Sequence, residues 1–417
     1  MSQPSDDILI LGGGAIGLSC ALHLLRAGRG VRVLDQGRAG CGSSHGNCGT
    51  ITPSHAAPLA GPGTLLKALK WVGRPDAPLY IRPRVDLDLA DWLLRFALRC
   101  NRRDWRASAG AKARLLLASR GMMESLVAEE GLDCHFSHDG LWYVCRDAAA
   151  FEREARDAEA LREFGVDVRL LSGAEAEAGE PALRPGVAGA IAFPGDASLR
   201  PDCYVAELAR RVRERGGVVE EDCRVLGLEQ DGGRIVGVHT ERGPRRGGEV
   251  LLALGAWSPQ VARGLGLTIP VQPGKGYSIT YDRPVLTPSR PLVLKEPQVC
   301  VTAWRDGFRL GSTMEFSGYD ASLNRTRLDA LVRGAHAFLH EPVGPVLREE
   351  WYGWRPMVYD DLPLIGRAPR YANLWLATGH GMLGMSMSAI TGQMVADLVA
   401  GRAPPVDPRP YDPGRFA

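Results

Sequence analysis

Residues 12–17 combine a glycine spacing with a position in the chain that suits phosphate binding. They read GGGAIG, a G-x-G-x-x-G turn that follows the apolar residues 8–11. In such a turn Gly12 permits the sharp bend, Gly14 lets the backbone approach a pyrophosphate, and Gly17 lets helix pack on strand. Ala15 and Ile16 open the helix, whose free N–H groups and dipole favour an anion. The pattern predicts a dinucleotide site.

Two strands and a helix must hold this turn in place. Residues 8–11 predict a buried strand, residues 15–27 a helix that ends at Gly28, and residues 31–34 a second strand. Asp35 stands at the carboxyl end of that strand, where its carboxylate could accept hydrogen bonds from a ribose diol. A glycine-rich turn that binds nothing is the alternative, and the order of these elements argues against it.

Composition limits the class of protein. The 417 residues allow two or three domains, and 45% hydrophobic with 24% charged residues is ordinary for a globular chain. A net charge of +2 gives no argument for nucleic-acid binding. The nine cysteines are scattered without a C-x-x-C pair, which indicates neither a metal site nor a disulfide framework. With no signal-peptide pattern and no long apolar run, we expect a cytoplasmic protein.

Several later segments carry a family resemblance. After Asp35 the chain continues in small, hydrogen-bonding residues, and glycine-rich motifs return near its end. The motifs are Ser43-Ser44-x-x-Asn47-x-Gly49-x-Ile51-x-Pro53, Gly274-Lys275-Gly276-Tyr277-Ser278, Trp354-Arg355-Pro356 through Gly366, and Gly379-His380-Gly381. Together with the G-x-G-x-x-G turn of residues 12–17, they resemble the D-amino-acid dehydrogenase branch of the FAD-dependent D-amino-acid oxidase superfamily.

The resemblance implies an α/β fold with a discontinuous FAD-binding, Rossmann-like domain. Into this domain is inserted an α+β substrate domain that contains an antiparallel sheet; strand-like runs at 271–281, 293–295, 299–303 and 308–312 suit that sheet. We expect the FAD-binding domain to comprise residues 1–85, 193–270 and 351–417, and the substrate domain residues 86–192 and 271–350. The active site should lie where the two domains meet.

FAD is the cofactor that the resemblance implies, without a metal. The residues expected to bind it are Gly12, Gly14, Ala15, Ile16, Gly17, Asp35, Gln36, Ser43, Ser44, Asn47, Cys48, Gly49, Val225, Gly255, Gly379, His380, Gly381, Met382, Leu383, Gly384 and Met385. His45 and Cys48 lie near the cofactor by motif alone, and covalent attachment stays open. His55 and Tyr143 are weaker candidates, which we assign to a loop and to the core.

Arg355, Tyr277 and His380 are the candidate catalytic residues. A planar, bidentate guanidinium suits an amino-acid carboxylate, and related oxidases place an arginine at this motif. The alternative for Arg355 is an ion pair with Asp360 or Asp361. Tyr277 could reach the substrate or be a half-buried strand aromatic. His380 could transfer a proton or be structural, and the backbone of its turn is the better candidate for stabilising reduced flavin.

Residues 65–106 alternate basic residues with aromatic and aliphatic ones. Lys70, Trp71 and Arg74 belong to this segment. It could contact the inner face of the cytoplasmic membrane, or it could be a solvated face over an ordinary core.

The leading functional expectation is oxidation of a D-amino acid to an imino acid, which hydrolyses to a 2-oxo acid and ammonia. A hydride would pass from the α-carbon to flavin N5, and electrons would go on to a quinone or another carrier. The alternatives are a D-proline or D-hydroxyproline dehydrogenase, a glycine or sarcosine oxidase-like flavoenzyme, and a flavin subunit that needs partner subunits. Homo-oligomers are also open, and a plain NAD dehydrogenase is disfavoured.

Overall fold

The structure is a computed structural model that describes residues 7–69 and 76–417. Its strands are β1 Ile8–Leu11, β2 Val31–Leu34, β3 Thr50–Ile51, β4 Leu79–Ile81, β5 Leu141–Cys145, β6 Arg169–Ser172, β7 Gly189–Phe193, β8 Ala197–Ser198, β9 Val218–Glu220, β10 Val225–Asp231, β11 Arg234–Thr240, β12 Glu249–Leu252, β13 Val271–Tyr281, β14 Leu292–Leu294, β15 Val299–Ala303, β16 Phe308–Gly311, β17 Met314–Phe316, β18 Leu347–Val358, β19 Leu364–Arg367 and β20 Leu374–Thr378. Its helices are α1 Ala15–Arg26, α2 Thr64–Leu69, α3 Leu87–Arg99, α4 Arg102–Glu130, α5 Ala148–Glu159, α6 Gly173–Gly179, α7 Pro201–Glu214, α8 Ser258–Arg263, α9 Arg325–Phe338 and α10 Gly384–Val399.

The first sheet gathers strands from three distant parts of the chain. Its order is β19-β20-β12-β1-β2-β9, and only the β19–β20 pair is antiparallel. β1 lies in its middle, with its four residues at most 1% exposed, because a parallel strand covered on both faces must be apolar throughout. The N-terminal, middle and C-terminal segments therefore form one Rossmann-like layer, as expected. The segment boundaries themselves stay a prediction.

The second sheet is predominantly antiparallel. Its order is β4-β17-β13-β16-β15-β14-β5-β7-β6, with β18 pairing to β13 off this path. Two pairs, β5–β14 and β4–β17, are parallel, so segments 79–81 and 141–145 join a sheet that we expected to be antiparallel. Helix α9 packs on it through Leu328 and Leu331, both fully buried. The inserted α+β layer is thus present.

β18 is the longest strand, with twelve residues, and the sequence did not indicate it. It pairs with β13 from Val271↔Val358 to Tyr281↔Leu347. Gly353 and Pro356 interrupt its pattern, and both residues usually weaken the interior of a strand. Here Pro356 faces Pro273 in the register. Since neither proline has a backbone N–H, both strands lack a hydrogen-bond donor at the same point. Long-range pairing overrides the local signal.

Helices α1 and α10 pack closely against each other on the first sheet. A Cβ on Gly392 of α10 would lie 2.5 Å from His23 Cδ2 of α1, so only glycine allows this approach. The two helices begin at Ala15 and Gly384, and both of these residues border the same cavity. The packing therefore directs two helix N-termini toward one site.

Candidate active site

A cavity of about 2550 Å³ is lined by residues of both sheets. Gly12, Leu254 and His380 contribute from turns at the first sheet, whereas Cys300 and Trp354 contribute from the second. Pockets for single small ligands usually measure roughly 300–1,000 Å³. This cavity therefore has room for a long cofactor together with a small substrate.

The glycine turn has the geometry that its sequence predicts. Gly12 has φ +107°, and a Cβ there would lie 2.4 Å from the carbonyl oxygen of Ala253. A Cβ on Gly17 would lie 1.9 Å from the carbonyl oxygen of Gly12. A side chain at either position would push the turn apart. The two glycines therefore let α1 pack closely on β1, and they leave the backbone of the turn exposed to the cavity.

Asp35 links the end of β2 to this turn. Its Oδ2 accepts from the N–H of Gly13 at 2.7 Å, and its Oδ1 accepts from the N–H of Gly37 at 2.9 Å. Burial raises the pKa of Asp35, although both N–H groups oppose that shift. The two bonds orient a carboxylate that lines the cavity, where its remaining lone pairs suit a diol.

Residues 43–49 form a loop that is held to both sheets. Ser44 Oγ accepts from the N–H of Ala15 at 3.0 Å, and Ser43 Oγ donates to the carbonyl of Trp354. Arg309, only 2% exposed, donates through Nη1 to the carbonyls of His45 at 2.8 Å and Asn47 at 2.7 Å. Sequence reasoning missed Arg309, because its partners are distant in the chain and no local pattern marks it.

The cofactor-binding residues predicted from the sequence line the cavity with three exceptions. These are Gly17, which packs on Gly12, and the glycines at 49 and 379. A Cβ on Gly49 would lie 1.9 Å from the carbonyl oxygen of Leu199, and one on Gly379 would lie 2.7 Å from Val358 Cγ2. All three shape the backbone behind the cavity wall. His45 is also off the wall; its Nε2 lies 2.8 Å from Glu349 Oε1.

The C-terminal glycine turn places a helix end at the cavity. Helix α10 spans 16 residues, and its N-cap Leu383 makes no side-chain capping bond. Leu383, Gly384 and Met385 border the cavity. The first N–H groups of α10 and its positive dipole end are therefore oriented to stabilise negative charge on a bound ligand.

His380 lies in that turn but is 5% exposed. Its Nε2 lies 3.1 Å from Thr391 Oγ1 of α10. Burial lowers the pKa of His380 to about 3, so the ring is neutral at physiological pH. A neutral, hydrogen-bonded imidazole suits a structural role, and the proton-transfer role stays a prediction.

Arg355 lies on β18 with its guanidinium above β13. A Cβ on Gly276 would lie 2.3 Å from Arg355 Nη1, so this glycine makes the space for the group. Nη1 donates to the carbonyl of Thr313 at 2.6 Å. Burial lowers the pKa of Arg355. The guanidinium lines the cavity.

The alternative interpretation of Arg355, an ion pair with Asp360 or Asp361, is wrong. Asp360 bonds to Arg415 at 2.9 Å, and Asp361 bonds to Lys112 at 2.6 Å. Within the described ranges 7–69 and 76–417, no carboxylate lies within 4 Å of the Arg355 guanidinium. Arg355 is therefore a half-buried cation at a cavity wall that lacks a protein counter-carboxylate in the described part of the chain.

The Tyr277 hydroxyl is engaged inside the second sheet. Tyr277 is 1% exposed, and its hydroxyl donates to Glu315 Oε2 at 3.0 Å. Lys275 Nζ lies 5.2 Å from the centre of its ring. Burial raises the pKa of Tyr277. Since the hydroxyl proton already has an acceptor, this geometry favours the buried strand aromatic over a substrate contact.

His55 and Tyr143, which the sequence ranked as weak, meet at the cavity wall. Their rings are perpendicular with centroids 5.6 Å apart, and both residues line the cavity. Lys295 Nζ lies 4.2 Å from the centre of the Tyr143 ring and pairs with Glu154 at 2.9 Å. Burial lowers the pKa of His55 to about 3. The pairing of β5 with β14 places Tyr143 here, which local patterns do not reveal.

Two buried polar atoms at the cavity have no hydrogen-bond partner in the described part of the protein. They are Trp354 Nε1 and Thr313 Oγ1, and both residues line the cavity. Buried polar groups are normally satisfied, so such atoms point to a bound molecule as the partner. Together with the glycine turn of residues 12–17, Asp35 and the N-terminus of α10, they would suit a dinucleotide cofactor in this cavity.

Comparisons with known proteins identify the family of this chain. A family model described as FAD dependent oxidoreductase (DAO) matches residues 7–398. The D-amino acid dehydrogenase of Paramagnetospirillum magneticum is 37% identical over 402 residues, which is 95% of each chain. That of Agrobacterium fabrum is 34% identical over 421 residues, which is 99% of this chain and 100% of the relative. The glycine oxidase structure from Geobacillus kaustophilus has a TM-score of 0.79 at 23% identity and covers 98% of each chain.

The chain belongs to the DAO family of FAD-dependent oxidoreductases. Its fold is the one that the resemblance implied, and FAD is its cofactor. In the described ranges, no helix is both long and apolar enough to cross a membrane. Over the same residues, no three His, Cys, Asp or Glu side chains gather closely enough to hold a metal ion. Lys70, Trp71 and Arg74 of the basic segment lie outside the described residues.

Proposed function

We propose that the protein is a dehydrogenase that oxidises D-amino acids to imino acids, which water then converts to 2-oxo acids and ammonia. The observation that carries the proposal is Arg355, a half-buried guanidinium at the cavity wall without a carboxylate partner among the described residues. The names of the relatives support the D-amino acid as substrate. When bound in the cavity, FAD would supply the acceptor for a hydride from the substrate α-carbon.

Arg355 binds the substrate carboxylate in this proposal. The Thr313 carbonyl accepts from Nη1 and holds the guanidinium plane, while Gly276 leaves space around it. A planar fork held in this way can donate two parallel hydrogen bonds to a carboxylate. The pair forms in a buried site, where each hydrogen bond contributes more than in water. This fixes the α-carbon relative to the cavity.

The protein supplies neutral groups around the substrate amine. Burial lowers the pKa values of both His55 and His380 to about 3, so neither ring is a cation near neutral pH. Neither ring is basic enough to take the ammonium proton, because both pKa values lie far below that of an amine. The amine therefore reacts after it has lost its proton to solvent, and turnover should rise with pH as the free amine becomes abundant.

Anaerobic reduction of the enzyme-bound flavin tests the proposal. Purified protein is mixed with each D- and L-amino acid, with both prolines included, and the oxidised flavin band is followed. We expect bleaching by D-amino acids and none by the matching L-enantiomers. Bleaching by L-enantiomers alone, or by none of the amino acids, would contradict the proposal.

The same screen separates the closest alternatives. Bleaching confined to D-proline and D-hydroxyproline would assign the site to cyclic amines. Glycine or sarcosine as the best substrate, with one hydrogen peroxide formed per turnover in air, would assign it to an oxidase. We expect acyclic D-amino acids to react fastest and peroxide to form slowly compared with reduction of an added quinone.

The electron acceptor is a quinone or another carrier in this proposal, and it is reached at a membrane surface. Helices α2 and α3 have exposed leucines, namely Leu66 at 69%, Leu94 at 61% and Leu98 at 69%. Leu93 and Phe96 of the same α3 line the cavity. The described basic residues of α3 pair with neighbouring acids, as Arg95 does with Asp91. Apolar contact rather than net charge therefore supports the surface.

Vesicle binding checks this surface. We expect a Leu94→Ser and Leu98→Ser double variant to sediment less with phospholipid vesicles than the unchanged protein. Val285→Ser, at a residue that is 97% exposed and lies elsewhere, is the matched control and should bind as before. Equal sedimentation of all three proteins would contradict the membrane contact.

Full activity of the purified chain alone would exclude a flavin subunit that needs partner subunits. The mass of the protein in solution would show whether it forms a homo-oligomer.

A further inference from the structure

Two cysteines form a thiol pair inside the cavity. Cys48 follows Asn47 in the loop of residues 43–49, and Cys300 lies on β15. Cys300 is the register partner of Gly311 on β16, and a Cβ on Gly311 would lie 2.5 Å from Cys48 Sγ. Since opposite residues of neighbouring strands point to the same face of a sheet, the two cysteine side chains meet on that face, and both residues line the cavity. Cys48 is partly accessible, whereas Cys300 is 7% exposed. A molecule that enters the cavity can therefore reach the pair.

The surroundings of Cys48 hold its sulfur in place and favour the thiolate. A Cβ on Gly311 would lie 2.5 Å from Cys48 Sγ, so this glycine makes room for the sulfur. Arg309 fixes the preceding carbonyl of Asn47 at 2.7 Å. The neighbouring Cys300 thiol lowers the pKa of Cys48, and Arg309 and Arg355 add to that shift. The neighbouring Cys48 and burial raise the pKa of Cys300, which keeps its proton.

We propose that Cys48 and Cys300 are an oxidisable pair, in which hydrogen peroxide reacts at Cys48 and Cys300 resolves the product to a disulfide. The Cys48 sulfur attacks one peroxide oxygen, the O–O bond breaks, and hydroxide leaves and takes up a proton to become water. The Cys300 sulfur then attacks the Cys48 sulfenic acid, the S–O bond breaks, and the second oxygen leaves as water with the Cys300 proton. Two thiols lose two electrons, and one peroxide becomes two waters.

The disulfide changes the site in two ways. It replaces the Cys48 thiol near Arg355 by a disulfide sulfur that cannot ionise, and it ties the loop of residues 43–49 to β15. Neither effect depends on which amino acid is the substrate, so the pair can be tested separately from the proposed dehydrogenase activity.

Peptide mass spectrometry of the purified full chain tests the pair. The protein is treated with a few equivalents of hydrogen peroxide, its remaining thiols are alkylated, and it is digested without reductant. We expect a cross-linked peptide that contains Cys48 and Cys300, and we expect dithiothreitol to return both thiols. Cys41, which is exposed and borders the same cavity, is the matched internal control and should stay reduced at that dose.

Variants assign the two roles. In Cys300→Ser, oxidation should stop at a Cys48 sulfenic acid that dimedone traps, and in Cys48→Ser, Cys300 should stay reduced. Oxidation of Cys41 while Cys48 and Cys300 stay reduced would overturn the proposal in the unchanged chain, so the test does not depend on whether a variant folds. Equal oxidation of Cys300 in Cys48→Ser would overturn the order of the two steps.

Discussion

The nucleotide end and the substrate end of the cavity are built in different ways. At the nucleotide end, one continuous segment from Ile8 to Asp35 supplies two strands, the turn and the carboxylate, and the backbone makes most of the surface. At the substrate end, Tyr143, Cys300 and Arg355 come from three separate strands of the second sheet. The first end therefore depends on the absence of side chains, and the second on particular side chains.

Replacing Arg355 should produce the largest effect and act only at the substrate end. Arg355→Met removes the guanidinium, and loss of one member of a buried charge pair costs about 4 kcal/mol, or roughly 10³-fold in kcat/KM. FAD content per chain, measured by absorbance after denaturation, should stay unchanged. The control is Arg367→Met, at an exposed arginine on β19, the next strand along the chain, and this variant should keep full activity. Loss of FAD from Arg355→Met would contradict the separation of the cavity into a nucleotide end and a substrate end.

Gly12→Ala should act at the other end. The new Cβ would meet the Ala253 carbonyl at 2.4 Å on a backbone with φ +107°, so the turn must open. We expect the dissociation constant of FAD to rise at least about tenfold, which corresponds to about 1.4 kcal/mol, in a fluorescence titration of apoprotein. Gly28→Ala also has a positive φ, but its Cβ would meet nothing within 4 Å, and its FAD affinity should not change.

The same division explains what could be predicted from the sequence. Ile8 to Asp35 follows from local rules, because its strands, turn and helix touch within one segment and each glycine has a steric reason. β18 could not be predicted, because Gly353 and Pro356 disfavour a strand locally. Pairing with β13 stabilises this strand, and that pairing joins distant segments. Arg309 and Cys300 belong to the site only through sheet pairings between distant segments, which one sequence does not show. Arg355 was found through the family motif rather than through periodicity.

The pH dependence of stability should report the buried imidazole of His380. The pKa of His380 is lowered by burial from 6.5 to about 3, so the unfolded chain binds more protons than the folded chain between these values. His380 therefore lowers the free energy of unfolding as pH falls below about 6.5, by up to about 1.4 kcal/mol per pH unit. Urea unfolding of His380→Gln should show a shallower decline between about pH 6.5 and 5. His239→Gln, at an exposed histidine, should match the unchanged protein.

Tyr277→Phe should have the smallest effect on catalysis. Since the hydroxyl donates to Glu315, its loss should lower the free energy of unfolding by about 1–3 kcal/mol and change kcat/KM less than about threefold. Tyr352→Phe, at the register partner of Tyr277 on β18, is the control for loss of a phenol in the same sheet. A drop in kcat/KM of about 10²-fold without loss of stability would place the hydroxyl on the substrate instead.

The most direct test of the substrate end compares an acid with its amide in the unchanged protein and in Arg355→Met. The rate of anaerobic flavin reduction is measured against the concentration of D-alanine and of D-alaninamide, which lacks the carboxylate. We predict that the unchanged protein prefers D-alanine by at least about 10²-fold and that Arg355→Met loses this preference, as expected for a coupling of about 2.7 kcal/mol or more. An equal preference for the acid in both proteins would show that Arg355 does not bind the carboxylate.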